Sequence, residues 1–148
     1  MVKIFVSSII EAPTVEVWEI VRDFNDMPNW HPAIARSMIE GGRLSDAIGC
    51  VRNFYLQDGT QIREQLLMLS DFDYQFSYAV LESELDVKNY IARLKFIPVT
   101  DKNHTFGEWT AEFNTTSGKE AEMAGMISQN VFQAGFDALK KRFSGENQ

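Results

Sequence analysis

Apolar residues recur along the chain with more than one period, and each period predicts a different kind of element. Val2 to Ile10 is rich in β-branched residues and predicts a first strand. Pro13 stands where a helix can begin, and Val17, Trp18, Val21 and Phe24 mark one face of a short helix behind it. Asn25 to Pro32 carries two prolines and predicts a broken turn of helix. From about Met38 to Asn114 strands are expected at 36–41, 48–56, 60–70, 74–83, 87–98 and 104–114, separated by Gly, Asp, Asn and Pro. With the first strand they predict a seven-stranded meander.

Two of these strands say how the sheet is covered. Trp109, Ala111 and Phe113 alternate with Glu108, Thr110 and Glu112, and Tyr90, Ala92, Leu94 and Phe96 alternate with Asn89, Ile91, Arg93 and Lys95. Such alternation buries one face and leaves the other wet. The cover is expected from the C-terminus, where Ser117 and Glu120 have the spacing of a capping box before a helix reaching about Phe143. Wound at about 100° per residue, Ala121, Phe132, Phe136, Leu139 and Phe143 share one arc, with Ala124, Ile127, Val131 and Ala138 in the next. A stripe that wide needs a concave partner. Gly125, Ser128 and Gly135 fall inside it. Glycine costs a helix interior roughly 1 kcal/mol against alanine, so two inward glycines imply a spatial need: close approach to the sheet, or room for a bound molecule. The fold class is therefore α+β, a curved antiparallel sheet around a long C-terminal helix.

Composition narrows the function. The 148 residues, 45% apolar and 12% aromatic, suit one domain with a full core, expected at 1–144 with a polar tail at 145–148. A net charge of −7 without a basic cluster argues against nucleic acid as partner. Cys50 has no second cysteine to pair with, and a cytoplasmic location is compatible with that. Lys3 before an apolar run resembles the start of a signal peptide, but Ser7, Ser8 and Glu11 interrupt it, so it reads as a strand. No apolar stretch reaches the roughly 20 residues needed to cross a bilayer. His31 and His104 are the only histidines, and no cluster has metal-ligand spacing. No phosphate loop or nucleophile elbow appears, and no cofactor is expected.

In this setting the chain resembles the START/Bet v 1-like (SRPBCC) superfamily, in its polyketide cyclase/dehydrase and lipid-transport branch, over nearly its whole length. The resemblance is carried by Ile10-Glu11-Ala12-Pro13 with Val17-Trp18, Asp23-Phe24 before Trp30-His31-Pro32, Glu40-Gly41-Gly42, Gly49 to Arg52, Asp58-Gly59 with Arg63 to Leu66, Trp109, and the Phe132 to Phe143 helix. It implies a helix-grip architecture, β-α-α-β6-α, with a cavity between sheet and helix. It does not imply one function, since members include carriers, receptors, cyclases and chaperone activators.

The hairpin around Asp58-Gly59 decides which side chains meet. A two-residue loop pairs Asn53 with Glu64; a three-residue loop, with Gly59 in a left-handed conformation, pairs Phe54 with Ile62 and Arg52 with Glu64. The second register matches apolar with apolar and charge with charge, and is preferred. Arg52 and Glu64 then point toward the cavity, either as a structural pair or as a device that orients a ligand or shifts a pKa. Tyr78 and Tyr90 fall on the inward side, where a phenol can pack its ring and donate one hydrogen bond, or serve as ordinary core. Trp109 reads as cavity wall or core. His31 follows the broken helix that in this family borders the cavity mouth, and is a candidate proton shuttle or a capping histidine. The ligand-binding set expected is Trp30, His31, Arg52, Phe54, Glu64, Tyr78, Tyr90, Trp109, Ser128, Phe132, Gly135 and Phe136. The leading function is a carrier or sensor for a small apolar or aromatic molecule. The alternatives are a polyketide cyclase/dehydratase-like enzyme using Glu64, Tyr78 or His31, and a chaperone-interacting module similar to the Hsp90 activators. Oligomeric state is not legible.

Overall fold

The computed structural model describes residues 1–145, so residues 146–148 of the expected tail lie outside the described residues. Strands β1 (Val2–Ile10), β2 (Ile34–Ile39), β3 (Val51–Leu56), β4 (Gln61–Ser70), β5 (Gln75–Ser83), β6 (Lys88–Val99) and β7 (His104–Asn114) form one antiparallel sheet. Their order is β1-β7-β6-β5-β4-β3-β2. The meander therefore runs only through β2 to β7. The first strand departs from it and lies beside the last, with Val2 opposite Phe113 and Ile10 opposite Thr105.

The expected alternation holds. Trp109, Ala111 and Phe113 of β7 are buried with Tyr90, Ala92, Leu94 and Phe96 of β6, while Glu112 and Ile91 are exposed. Helix α1 (Thr14–Val21) buries Val17, Trp18 and Val21. It is fastened to the β4–β5 turn by Asp71, whose Oδ1 accepts from Trp18 Nε1 at 2.7 Å and whose two oxygens accept from Arg22. The broken segment that follows is a single 3-10 turn, Met27–Asn29, so the second helix of the expected pattern is one short turn.

The C-terminal helix runs through Glu120–Met126, Ile127–Gln133 and Ala134–Phe143, and its middle stretch is π-helical. Two expectations are corrected here. No side-chain cap forms at the start; the chain turns at Gly118, whose φ is +93°, and Glu120 Oε2 accepts from Gly118 N, so Ser117 caps nothing. The π stretch bonds each N–H to the fifth carbonyl back rather than the fourth, which changes the phase between the two ends. Residues placed by a constant 100° step before it no longer align with those after it. Ala121 and Gly125 are exposed, and a Cβ at Gly125 would meet nothing within 4 Å.

Candidate ligand-binding site

The site begins with the β3–β4 hairpin. Gly59 at φ +92° follows Gln57 and Asp58, Leu56 N donates to Thr60 O, and the three-residue loop sets Phe54 opposite Ile62 and Arg52 opposite Glu64. The preferred register is the one adopted. Both charged residues point into the interior, 2% and 6% exposed.

Arg52 Nε and Nη2 both donate to Glu64 Oε1, at 2.9 and 2.7 Å, and Nη1 donates to Phe24 O at 3.0 Å. The guanidinium also lies over the Phe24 ring at 3.9 Å and the Tyr78 ring at 4.9 Å. Stacking and hydrogen bonds together replace the water this cation has lost. The same burial pushes the Glu64 carboxyl above its ordinary range, against the pull of Arg52. Glu64 Oε2 accepts no hydrogen bond from any described residue. Among the described residues, the buried side-chain oxygens sealed in without a partner are Asn25 Oδ1 and Ser37 Oγ, so Oε2 retains contact with open space.

That space is a cavity of about 40 Å³. A water needs roughly 10–15 Å³ by this measure, so the cavity takes a few waters and is smaller than the few hundred Å³ of an occupied ligand site. Of the residues expected at a ligand site, Arg52, Phe54, Glu64, Tyr78, Tyr90 and Trp109 line it. Trp109 Nε1 donates to Tyr78 Oη at 3.0 Å, and burial raises both phenols well above their ordinary pKa, so each stays protonated at neutral pH. The outer lining is apolar and half-buried: Leu56, Val80, Leu85, Val87 and Val131, with Ile127 fully buried beside them. Val80 follows Tyr78 at strand spacing and could have been found that way. Leu85 and Val87 sit in the β5–β6 connection; Val87 falls on the outward parity of the strand expected at 87–98, and Leu85 lies outside any expected strand, so alternation does not point to either.

Trp30, His31, Ser128, Phe132, Gly135 and Phe136 do not line this cavity. All but Ser128 pack against Trp109, which itself lines the cavity: Phe132 stacks on its ring at 4.5 Å and 8°, and Trp30, His31 and Phe136 meet it at 5.9–6.4 Å. A Cβ on Gly135 would lie 2.9 Å from Trp109 Cζ3 and 3.0 Å from His31 Cδ2. Close approach, not ligand room, is what this glycine provides. His31 is 1% exposed, with Nε2 donating to Val131 O at 2.7 Å and Nδ1 accepting from Ala33 N at 3.1 Å. Both nitrogens are occupied, and burial lowers its pKa. In this arrangement the ring clamps the loop before β2 to the π stretch and has no nitrogen free for a ligand.

The described residues hold no cluster of His, Cys, Asp and Glu able to bind a metal, and no helix long and apolar enough to cross a membrane. The model of the family described as polyketide cyclase/dehydrase and lipid transport matches residues 1–144. Among curated proteins the chain is similar to the abscisic acid receptors PYL10 and PYL7 of Arabidopsis thaliana, 32% identical over 84 residues and 29% over 92. The matches take in 55% and 60% of this chain but only 45% and 42% of the receptors, so the chain spans less than half the length of either. Among solved structures, protein XoxI from Bacillus cereus superposes with a TM-score of 0.86 at 26% identity, covering 100% of this chain and 99% of that one. A protein from Thermobifida fusca gives 0.86 at 27% identity, covering 97% and 93%. The chain belongs to the polyketide cyclase/dehydrase and lipid transport family, within the Bet v 1-like (SRPBCC) fold.

Proposed function

We propose that this protein binds a small apolar molecule, as a carrier or sensor, in the cavity between β3–β7 and the C-terminal helix. The observation that carries this reading is the layering of the cavity: a half-buried apolar rim above a floor of buried polar groups, Arg52, Glu64 and Tyr78. A core built only for stability has little use for a buried ion pair, since well-packed apolar residues serve as well or better. A ligand that lost water at the rim and met a few polar groups at the floor would fit the usual design of such sites. The resemblance to proteins named as abscisic acid receptors is in keeping with it. Entry requires the rim to spread, because 40 Å³ holds no organic ligand. Leu85 and Val87, in the connection between two strands, are the side chains able to move at least cost in core packing.

The test is uptake of a neutral fluorescent probe, N-phenylnaphthylamine. The wild type should bind it with enhanced emission, and Val131→Trp, which fills the cavity from the helix side, should abolish the enhancement while the far-UV spectrum persists. No enhancement with the wild type, or an undiminished one with Val131→Trp, overturns the reading.

A further inference from the structure

We propose that the ligand of this cavity is uncharged and carries a hydrogen-bond donor, a hydroxyl or an N–H, and that carboxylates are rejected. The inference rests on the binding reading above and adds the chemical class. Among the described residues, Arg52 and Glu64 are the only charged side chains lining the cavity, one of each sign and paired with each other. Most of the cation's donor capacity is already used: Nε and Nη2 hold Glu64 Oε1, Nη1 holds Phe24 O, and the Phe24 and Tyr78 rings pack close to the guanidinium. Glu64 is committed on one side only. Its Oε1 takes both bonds from Arg52, while Oε2 has no donor among the described residues, in a side chain 92% buried.

Waters of the cavity can reach Oε2, an entering molecule displaces them, and only one that carries a hydroxyl or N–H replaces their charge-assisted bond. An incoming carboxylate meets the opposite situation. It would stand beside a second anion in a medium that screens poorly, and the one guanidinium cannot neutralise both. An apolar molecule of the same shape with no head group gains nothing from Oε2 and loses nothing to repulsion. The order expected is therefore donor, then bare hydrocarbon, then carboxylate.

The experiment uses three ring compounds matched in size and substitution position: naphthol, methylnaphthalene and naphthoate, each competing against N-phenylnaphthylamine at neutral pH. Naphthol should bind about tenfold or more tighter than naphthoate, the range expected of one hydrogen bond to a charged group. Glu64→Gln, which removes the anion and keeps the shape, should narrow or invert that ratio by freeing Arg52. Should Glu64→Gln fail to fold, the wild-type order alone still decides. If naphthoate binds as well as naphthol to the wild type, the inference is wrong while the binding reading stands. If none of the three competes and the probe itself is not taken up, both are wrong.

Discussion

Arg52 and Glu64 face each other across the β3–β4 hairpin with Nη2 2.7 Å from Oε1, inside the core rather than on its surface. Removing one partner leaves the other charge buried and unpaired. Glu64→Ala and Arg52→Ala should each lower unfolding free energy by about 3–5 kcal/mol, whereas the double change to leucine should recover most of it. Urea unfolding of the three variants checks this. The double variant also separates folding from binding, because it should fold yet lose the preference for donor ligands.

The two inward-reading glycines of the C-terminal helix should respond oppositely to alanine. A methyl at Gly135 meets Trp109 and His31 at 2.9–3.0 Å, and overpacking of that kind costs about 1–3 kcal/mol. A methyl at Gly125 meets nothing, and there alanine should stabilise by up to about 1 kcal/mol through helix propensity. Thermal melts of both variants suffice, and a stabilising Gly135→Ala would contradict the packing described.

His31 should make stability depend on pH in a definite window. Its folded pKa lies below the ordinary 6.5 because burial penalises the imidazolium, and Arg52 adds to this. The unfolded chain therefore takes up a proton first, and the contribution of His31 is present at high pH and lost as pH falls through about 6.5 toward the lowered folded value. Glu64, whose folded pKa is raised, acts with the opposite sign as pH falls from that raised value through the ordinary carboxylate range, since its protonated form favours the fold. Asp71 and Asp86, held low by their partners, weaken the fold only as pH drops through and below the usual carboxylate range. His31→Gln shares every carboxylate with the wild type, so the difference between the two isolates the histidine. That difference in urea midpoint should shrink between pH 7.5 and pH 5.5; an unchanged difference would show that His31 is not held neutral.

Much of the fold was legible because burial is periodic in the strands. The β3–β4 register was legible too, since only the three-residue loop gave both apolar and charge matching, and it brought Arg52 to Glu64. What misled was the assumption of one helical pitch. The π stretch at Ile127–Gln133 leaves no mark in composition, yet it turns Gly125 outward and places Val131, rather than Ser128 or Gly135, at the cavity. The place of β1 beside β7 was also hidden, because strand pairing across the whole chain length has no local signature. His31 read as available chemistry because sequence shows a titratable ring but not the Val131 carbonyl and Ala33 amide that engage it.

Amide and methyl NMR shifts during titration with naphthol report whether an apolar molecule enters between the sheet and the helix. Entry there should give saturable shifts concentrated at Val80, Leu85, Val87, Ile127 and Val131, the apolar lining above Glu64. A second, open groove lies outside, lined by Trp30, Pro32, Ala138 and Lys141; shifts confined to it, or none at all, would show that nothing enters the interior.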